Sequence, residues 1–221
     1  MVSSPDRLTP LQRELLSAFF AHERRFFLTG GAALAGYYLH HRVTDDLDFF
    51  THDKEAFTAG GRALTAAADE VGARVVVTQD TPAFRRHVVS RGIESVVVDL
   101  VWERVPSVFP DKVERAGARI DRPEEILINK LTAVVSRSEE RDIVDIMFLE
   151  RAGWTVESAV DGALAKDGGC TPAALAFVLS EIELPDSATL PAGVIPAELR
   201  DYIASLVVRL CRLALPHGPA S

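Results

Sequence analysis

Cysteine, tryptophan, methionine and tyrosine are all scarce in this 221-residue sequence, and base is scarcer than acid. The two cysteines, Cys170 and Cys211, stand far apart with no histidine pattern around them, which excludes a disulfide framework and a Cys/His zinc site. Both fall in stretches that read as helix starts or apolar helix faces, so two buried, reduced thiols are expected. No apolar run approaches the roughly 20 residues that cross a bilayer. The first residues are polar and proline-broken, without the basic and apolar regions of a signal peptide, so the expected location is the cytoplasm, with no membrane partner. A net charge of −8 excludes an overall positive surface, so any nucleic-acid contact must come from a local patch. Two stretches qualify: Arg85, Arg86, His87 and Arg91, and then Lys112, Arg115, Arg119 and Arg122. Solvated charged faces are an equal reading of both.

What is present is apolar: at 48% hydrophobic the chain can build one sizeable core, or a core domain with a smaller helical annex. Apolar residues at helical spacing from Pro10 to Arg25 predict a helix that leads into a short strand at Phe26 to Leu28. Gly30 and Gly31 end that strand. A helix is expected over Ala32 to His40, a strand over Asp46 to Thr51, and a helix over Lys54 to Val71 closed by Gly72. Three β-rich runs follow, Arg74 to Thr78, Phe84 to Ser90 and Ser95 to Trp102, with turn signals at Thr81–Pro82 and Arg91–Gly92. After Pro123 the pattern turns helical. One long periodic run reaches Gly153, and helices are expected at Thr155 to Lys166, Pro172 to Glu183 and Pro196 to Leu215 around a proline- and glycine-rich linker from Pro185 to Pro196. There is no internal repeat.

The chemistry-bearing feature is an acidic pair inside an apolar strand. Residues two apart in a strand share a face, so Asp46 and Asp48 project together while Leu47 and Phe49 pack on the other side. Asp45 points away from the pair, as a bystander. Adjacent carboxylates repel unless a cation lies between them, and oxygen-only ligands suit magnesium or manganese. Asp99 interrupts a β-branched run where a lone carboxylate is expensive, which makes it a candidate third ligand. Asp46, Asp48 and Asp99 together would hold two metal ions for an in-line phosphoryl displacement. Upstream, a strand that ends in Gly30 and Gly31 and enters a helix presents backbone N–H groups that suit a phosphate chain. Taken alone, an Asp-x-Asp or a glycine pair is also what exposed strand ends and tight turns collect.

The order of these residues is more specific than any one of them. The stretch from Gly30 to Phe50 resembles the nucleotidyltransferase motif of the AbiEii/AbiGii toxin family, a branch of the polymerase-β-like superfamily, through Gly30, Gly31, Arg42, Thr44, Asp46, Asp48 and Phe49. A later family motif, a lysine in a helix followed by an arginine and paired aspartates, is similar to the stretch carrying Lys130, Arg137, Asp142 and Asp145, with Arg141 as a rival to Arg137. Ala32 stands where relatives carry Ser or Thr, with Thr29 a nearby hydroxyl.

The resemblance implies an α+β fold: a mixed-sheet nucleotidyltransferase core over residues 1–120 and a helical domain over residues 121–221, with the active site in the cleft between them. It implies transfer of a nucleoside monophosphate from a nucleoside triphosphate to an acceptor hydroxyl, with magnesium or manganese as cofactor. Asp46, Asp48 and Asp99 would bind metal, and Asp99 would also help deprotonate the acceptor. Gly30, Gly31, Arg42, Thr44, Arg137 and Asp142 would bind the nucleotide, and Lys130 would counter its charge. RNA, at a transfer RNA 3′ end, is the acceptor implied, and a cognate antitoxin the partner. Two alternatives stand beside this: an antibiotic-modifying nucleotidyltransferase, and a non-catalytic interaction module.

Overall fold

A computed structural model describes residues 7–215 and divides the chain into two compact units, one ending at Arg122 and the other beginning at Pro123. The first unit starts with α1 (Pro10–His22), whose amino end is fixed by a reciprocal cap. The Thr9 hydroxyl accepts from the Gln12 N–H, while the Gln12 side chain accepts from the Thr9 N–H. Then come β1 (Phe27–Thr29) and a short α2 (Gly30–Ala33) that continues as a π-helical turn over Leu34–Tyr38. A regular helix was expected there. The wider turn brings Gly36 under the Leu8 side chain, which a Cβ would meet at 2.7 Å. The unit continues with β2 (Asp46–Thr51), α3 (Lys54–Glu70), β3 (Arg74–Asp80), β4 (Phe84–Arg91), β5 (Glu94–Trp102), β6 (Val113–Arg115) and β7 (Ala118–Ile120).

These strands form one mixed sheet in the order β3-β4-β5-β2-β1-β7-β6. Two pairings matter for function: β2 runs antiparallel to β1 and parallel to β5. Alternation along β2 buries Leu47 and Phe49 against α1, where Phe19 stacks on Phe49 with ring centroids 4.3 Å apart. Phe20 and Phe26 complete that aromatic cluster. Each buried phenylalanine contributes about 1.5–3 kcal/mol of apolar burial, which fixes the register of β2 and so the face its acids occupy.

The hairpin β6–β7 was not expected from sequence, because its strands are three residues long and lie in the stretch read as basic. Its charges are committed. Lys112 is buried in an ion pair with Asp121 at 2.8 Å, and the Arg115 and Arg119 guanidinium groups donate to the carbonyls of Tyr37 and Arg24. In the other basic stretch Arg85 pairs with Asp80, Arg91 with Glu14 and Glu94, and His87 is buried.

The second unit holds α4 (Pro123–Arg137), α5 (Glu140–Arg151), α6 (Val156–Lys166), α7 (Pro172–Ser180) and α8 (Pro196–Ala214), with a single 3-10 turn at Pro191–Gly193 in the linker. The long periodic run expected up to Gly153 is two helices. Ser138 takes a left-handed conformation (φ 51°) and its N–H and hydroxyl both donate to the Val134 carbonyl, ending α4 there. Cys170 is buried, and burial pushes its thiol up to about 11, whereas Cys211 is exposed, contrary to expectation, on the outer side of α8. Among the described residues no helix is long and apolar enough to cross a membrane.

Candidate active site

Strand register gathers the three acids of the first unit on one side of the sheet. Asp46 and Asp48 alternate with buried Leu47 and Phe49, and Asp48 is the direct partner of Asp99 across the parallel β2–β5 ladder. Two carboxylates on neighbouring strands, about 5 Å apart, repel by roughly 3 kcal/mol at an effective dielectric near 20. Such a pair is destabilising, and a cation beside it relieves the repulsion.

The glycine turn meets this face. Gly30 has φ +64°, a left-handed conformation, and a Cβ on it would lie 2.5 Å from Asp48 Oδ2, so the carboxylate rests against bare backbone. At Gly31 a Cβ would lie 2.5 Å from Arg42 Nη2, so the guanidinium packs on the turn in the same way. The Thr44 hydroxyl donates to Asp46 Oδ1 at 2.5 Å and so aims that acid. The Thr44 carbonyl is in turn held by Gln12 Nε2 at 2.7 Å, which ties the loop before β2 to the capped end of α1. The structure thus brings together Gly30, Gly31, Arg42, Thr44, Asp46, Asp48 and Asp99.

Thr29 is the cross-strand partner of Asp48 and shares its face, but its hydroxyl is already engaged. The Thr29 hydroxyl donates to buried Asp121 at 2.9 Å, and Ala32 is fully buried in the core.

Arg86 brings a further cation to this face. It is the cross-strand partner of Asp99 from β4, and its guanidinium forks onto the carboxylate, Nε to Oδ1 at 2.9 Å and Nη2 to Oδ2 at 2.7 Å. The fork with Asp99 raises the pKa of Arg86 against the opposing pull of burial, and the charges of Asp46 and Asp48 add to the rise. Oxygen-only donors on one face suit a hard divalent cation. The expected three-carboxylate cage is nevertheless not assembled: Arg86 takes both oxygens of Asp99, and among the described residues no group of three acids, histidines or cysteines is arranged to hold a metal ion. Asp46 and Asp48 fit the chemistry of such an ion, whereas Asp99 is held by Arg86.

Arg86 was read only as part of a basic run, yet its position was legible. A two-residue turn at Gly92 and Ile93 sets Arg91 opposite Glu94, and counting along the hairpin sets Arg86 opposite Asp99.

In the helical unit, Lys130, Arg137, Asp142 and Asp145 form their own network. Lys130 Nζ donates to Asp142 Oδ1 and pairs with Asp145, both at 2.7 Å, and all three side chains are buried. Burial would lower the lysine pKa, and the two aspartates outweigh it and raise it. Arg137, 46% exposed, forks onto Asp142 at 2.8 and 3.0 Å. Burial opposes ionisation of Asp142, and Arg137 and Lys130 together hold its carboxyl below the usual range. Arg141 pairs with Glu139.

A groove of about 940 Å³ lies away from the acids, lined by Arg62, Arg74, Asp80, Arg85 and His87 on α3, β3 and β4. Along β4, Arg85 and His87 project to the side opposite Arg86, so the groove is on the other face of the sheet. Its size does not make it the reactive site, because none of the gathered acids lines it.

Known proteins resemble this chain in family and in fold. The model of the nucleotidyl transferase AbiEii toxin family, of type IV toxin–antitoxin systems, matches residues 14–210. MenT4, a nucleotidyltransferase toxin from Mycobacterium tuberculosis, superposes with a TM-score of 0.56 at 16% identity, over 92% of this chain and 85% of its own. A candidate nucleotidyltransferase from H. pylori superposes with a TM-score of 0.55 at 20% identity, over 93% of this chain and 99% of its own. JHP933 from Helicobacter pylori gives 0.53 at 18% identity, over 92% of each. No curated protein matches the sequence.

Proposed function

Since the chain belongs to the AbiEii family of toxin nucleotidyltransferases, we propose that it moves a nucleoside monophosphate from a nucleoside triphosphate to an RNA hydroxyl, at a transfer RNA 3′ end, using magnesium or manganese. The observation that carries the reading is the convergence of a left-handed glycine with Asp48, on the face shared by Asp46 and Asp99. The acceptor oxygen bonds to the α-phosphorus, the α–β phosphoanhydride breaks, pyrophosphate leaves, and the hydroxyl proton passes to a carboxylate. Asp46 and Asp48 would hold the divalent ion, which supplies positive charge to the triphosphate and acidifies the acceptor hydroxyl when bound.

The chain's own residues prepare that step. The amides of Gly30 and Gly31 seat phosphate oxygens, Arg42 places a positive charge on the same turn, and Thr44 keeps Asp46 aimed. An Asp99 oxygen receives the acceptor proton. In the helical unit, Lys130, Arg137 and Asp142 would bind nucleotide, with Arg137 the exposed charge among them. The type IV family implies a cognate antitoxin.

A small hydroxylated acceptor is the second reading. It is favoured by the net charge of −8 and by the internal partners of Lys112, Arg115 and Arg119, which leave less positive surface for RNA. The test incubates labelled nucleoside triphosphates and magnesium with cellular RNA, using the intact chain and Asp48→Ala. Labelled RNA from the native chain alone is expected. Equal labelling by both removes the catalytic assignment, and a labelled small hydroxylated compound with unlabelled RNA selects the second reading.

A further inference from the structure

We propose that Arg86 is a latch on the acidic face: its guanidinium occupies the third carboxylate in the resting protein and yields it only when a divalent ion and a triphosphate arrive together. The inference rests on the assignment of Asp46 and Asp48 to metal binding. It starts from a conflict of charge. A guanidinium that donates to both oxygens of Asp99, at 2.9 and 2.7 Å, sets a positive charge against that carboxylate and repels a metal ion that would share it with Asp46 and Asp48.

The two partners differ in freedom. The Asp99 side chain is 7% exposed and fixed in the middle of β5, whereas that of Arg86 is 47% exposed and reaches the acid from the neighbouring strand. Arginine is therefore the part that moves. It has somewhere to go: the Phe84 ring already lies 5.4 Å from its guanidinium carbon on the same strand, and a triphosphate offers the bidentate oxygens that a guanidinium prefers.

Exchange also keeps the charge balanced. With Arg86 in place, its positive charge holds Asp99 directly. An incoming divalent ion takes over that duty, and the released arginine neutralises part of the triphosphate that came with it. Metal and nucleotide thereby become coupled ligands, each removing an obstacle to the other. The bare protein would hold metal poorly.

The experiment measures Mn2+ affinity by electron paramagnetic resonance on the full chain without nucleotide, for the native protein, Arg86→Met, Arg86→Lys and Asp48→Asn, with far-UV circular dichroism to verify folding. Arg86→Met is expected to bind Mn2+ about tenfold more tightly than the native protein, a typical coupling, and Arg86→Lys to fall between them. A non-hydrolysable triphosphate analogue is expected to strengthen Mn2+ binding in the native protein and to do so less in Arg86→Met. Equal affinity in the native protein and Arg86→Met, with Asp48→Asn weaker, overturns the latch and leaves the metal assignment standing. Loss of Mn2+ binding in a folded Arg86→Met also overturns it, because Arg86 would then be positioning Asp99 rather than competing for it. If Asp48→Asn binds as the native protein does, the metal assignment falls and the latch with it.

Discussion

Replacing Gly30 by alanine perturbs the site at one point and separates backbone strain from catalytic geometry. Two effects act there. The residue sits at φ +64°, where a Cβ is disfavoured by roughly 1–2 kcal/mol. The new Cβ would also lie 2.5 Å from Asp48 Oδ2, so the carboxylate must retreat by about 1 Å to reach ordinary contact. The second effect adds little to unfolding, because the colliding atom is the end of a side chain. It matters for chemistry, since a displacement of about 1 Å in a reacting group lowers a rate by about 100-fold. Gly72 supplies the control: its φ is +69°, and a Cβ there would meet nothing within 4 Å. Gly30→Ala and Gly72→Ala should therefore lose similar stability, about 2–8 °C in thermal midpoint for a chain of this size. Only Gly30→Ala should lose nucleotidyl transfer, by about two orders of magnitude. Calorimetry and labelled-nucleotide transfer on both variants check this. Equal activity in the two would refute the claim that the bare turn sets the position of Asp48.

The buried network of the helical unit makes the second prediction. Lys130→Met leaves Asp142 and Asp145 buried with one cation fewer, and should lower stability to urea by about 3–5 kcal/mol, whereas Asp145→Asn, which keeps Lys130 and Arg137 on Asp142, should lower it by about 1–3 kcal/mol. A Lys130→Met chain within 1 kcal/mol of the native one would contradict the account. His87 makes the third. It is almost fully buried with Nδ1 unpartnered, and burial holds its pKa below the ordinary histidine value. The unfolded chain then takes up the proton first, so the stability from neutral His87 is complete above about pH 6.5 and is lost as pH falls below it. The urea midpoint of the native chain should drop more between pH 7 and pH 5 than that of His87→Gln; parallel curves would exclude His87 as the acid-sensitive group.

Much of the site could be read along the chain because its members are close in sequence. The alternation at Asp46 and Asp48, the two glycines, Arg42 and Thr44 all lie between residues 30 and 48, and strand periodicity alone put both acids on one face. Asp99 was legible as an anomaly, a carboxylate in a β-branched strand. The partner Arg86 was legible too, but only by counting through a two-residue turn. Other features depend on contacts that no local pattern encodes. The β6–β7 hairpin is held by β7 pairing in parallel with β1, some 90 residues away in sequence, and by Thr29 and Lys112 meeting on Asp121. The bond from the Gln12 side chain to the Thr44 carbonyl, 32 residues along the chain, is another such contact.

The sequence by itself determined that Asp46 and Asp48 share a face and that a glycine turn precedes them, because the period of a strand and the freedom of glycine are local properties that a short stretch fixes on its own. Tertiary structure decided what those residues are bound to. Strand order placed Asp99 beside Asp48 and Arg86 beside Asp99, and the left-handed Ser138 folded α5 back so that Asp142 and Asp145 reached Lys130. A carboxylate's behaviour depends on the charges within a few ångströms of it, and those neighbours come from distant parts of the chain.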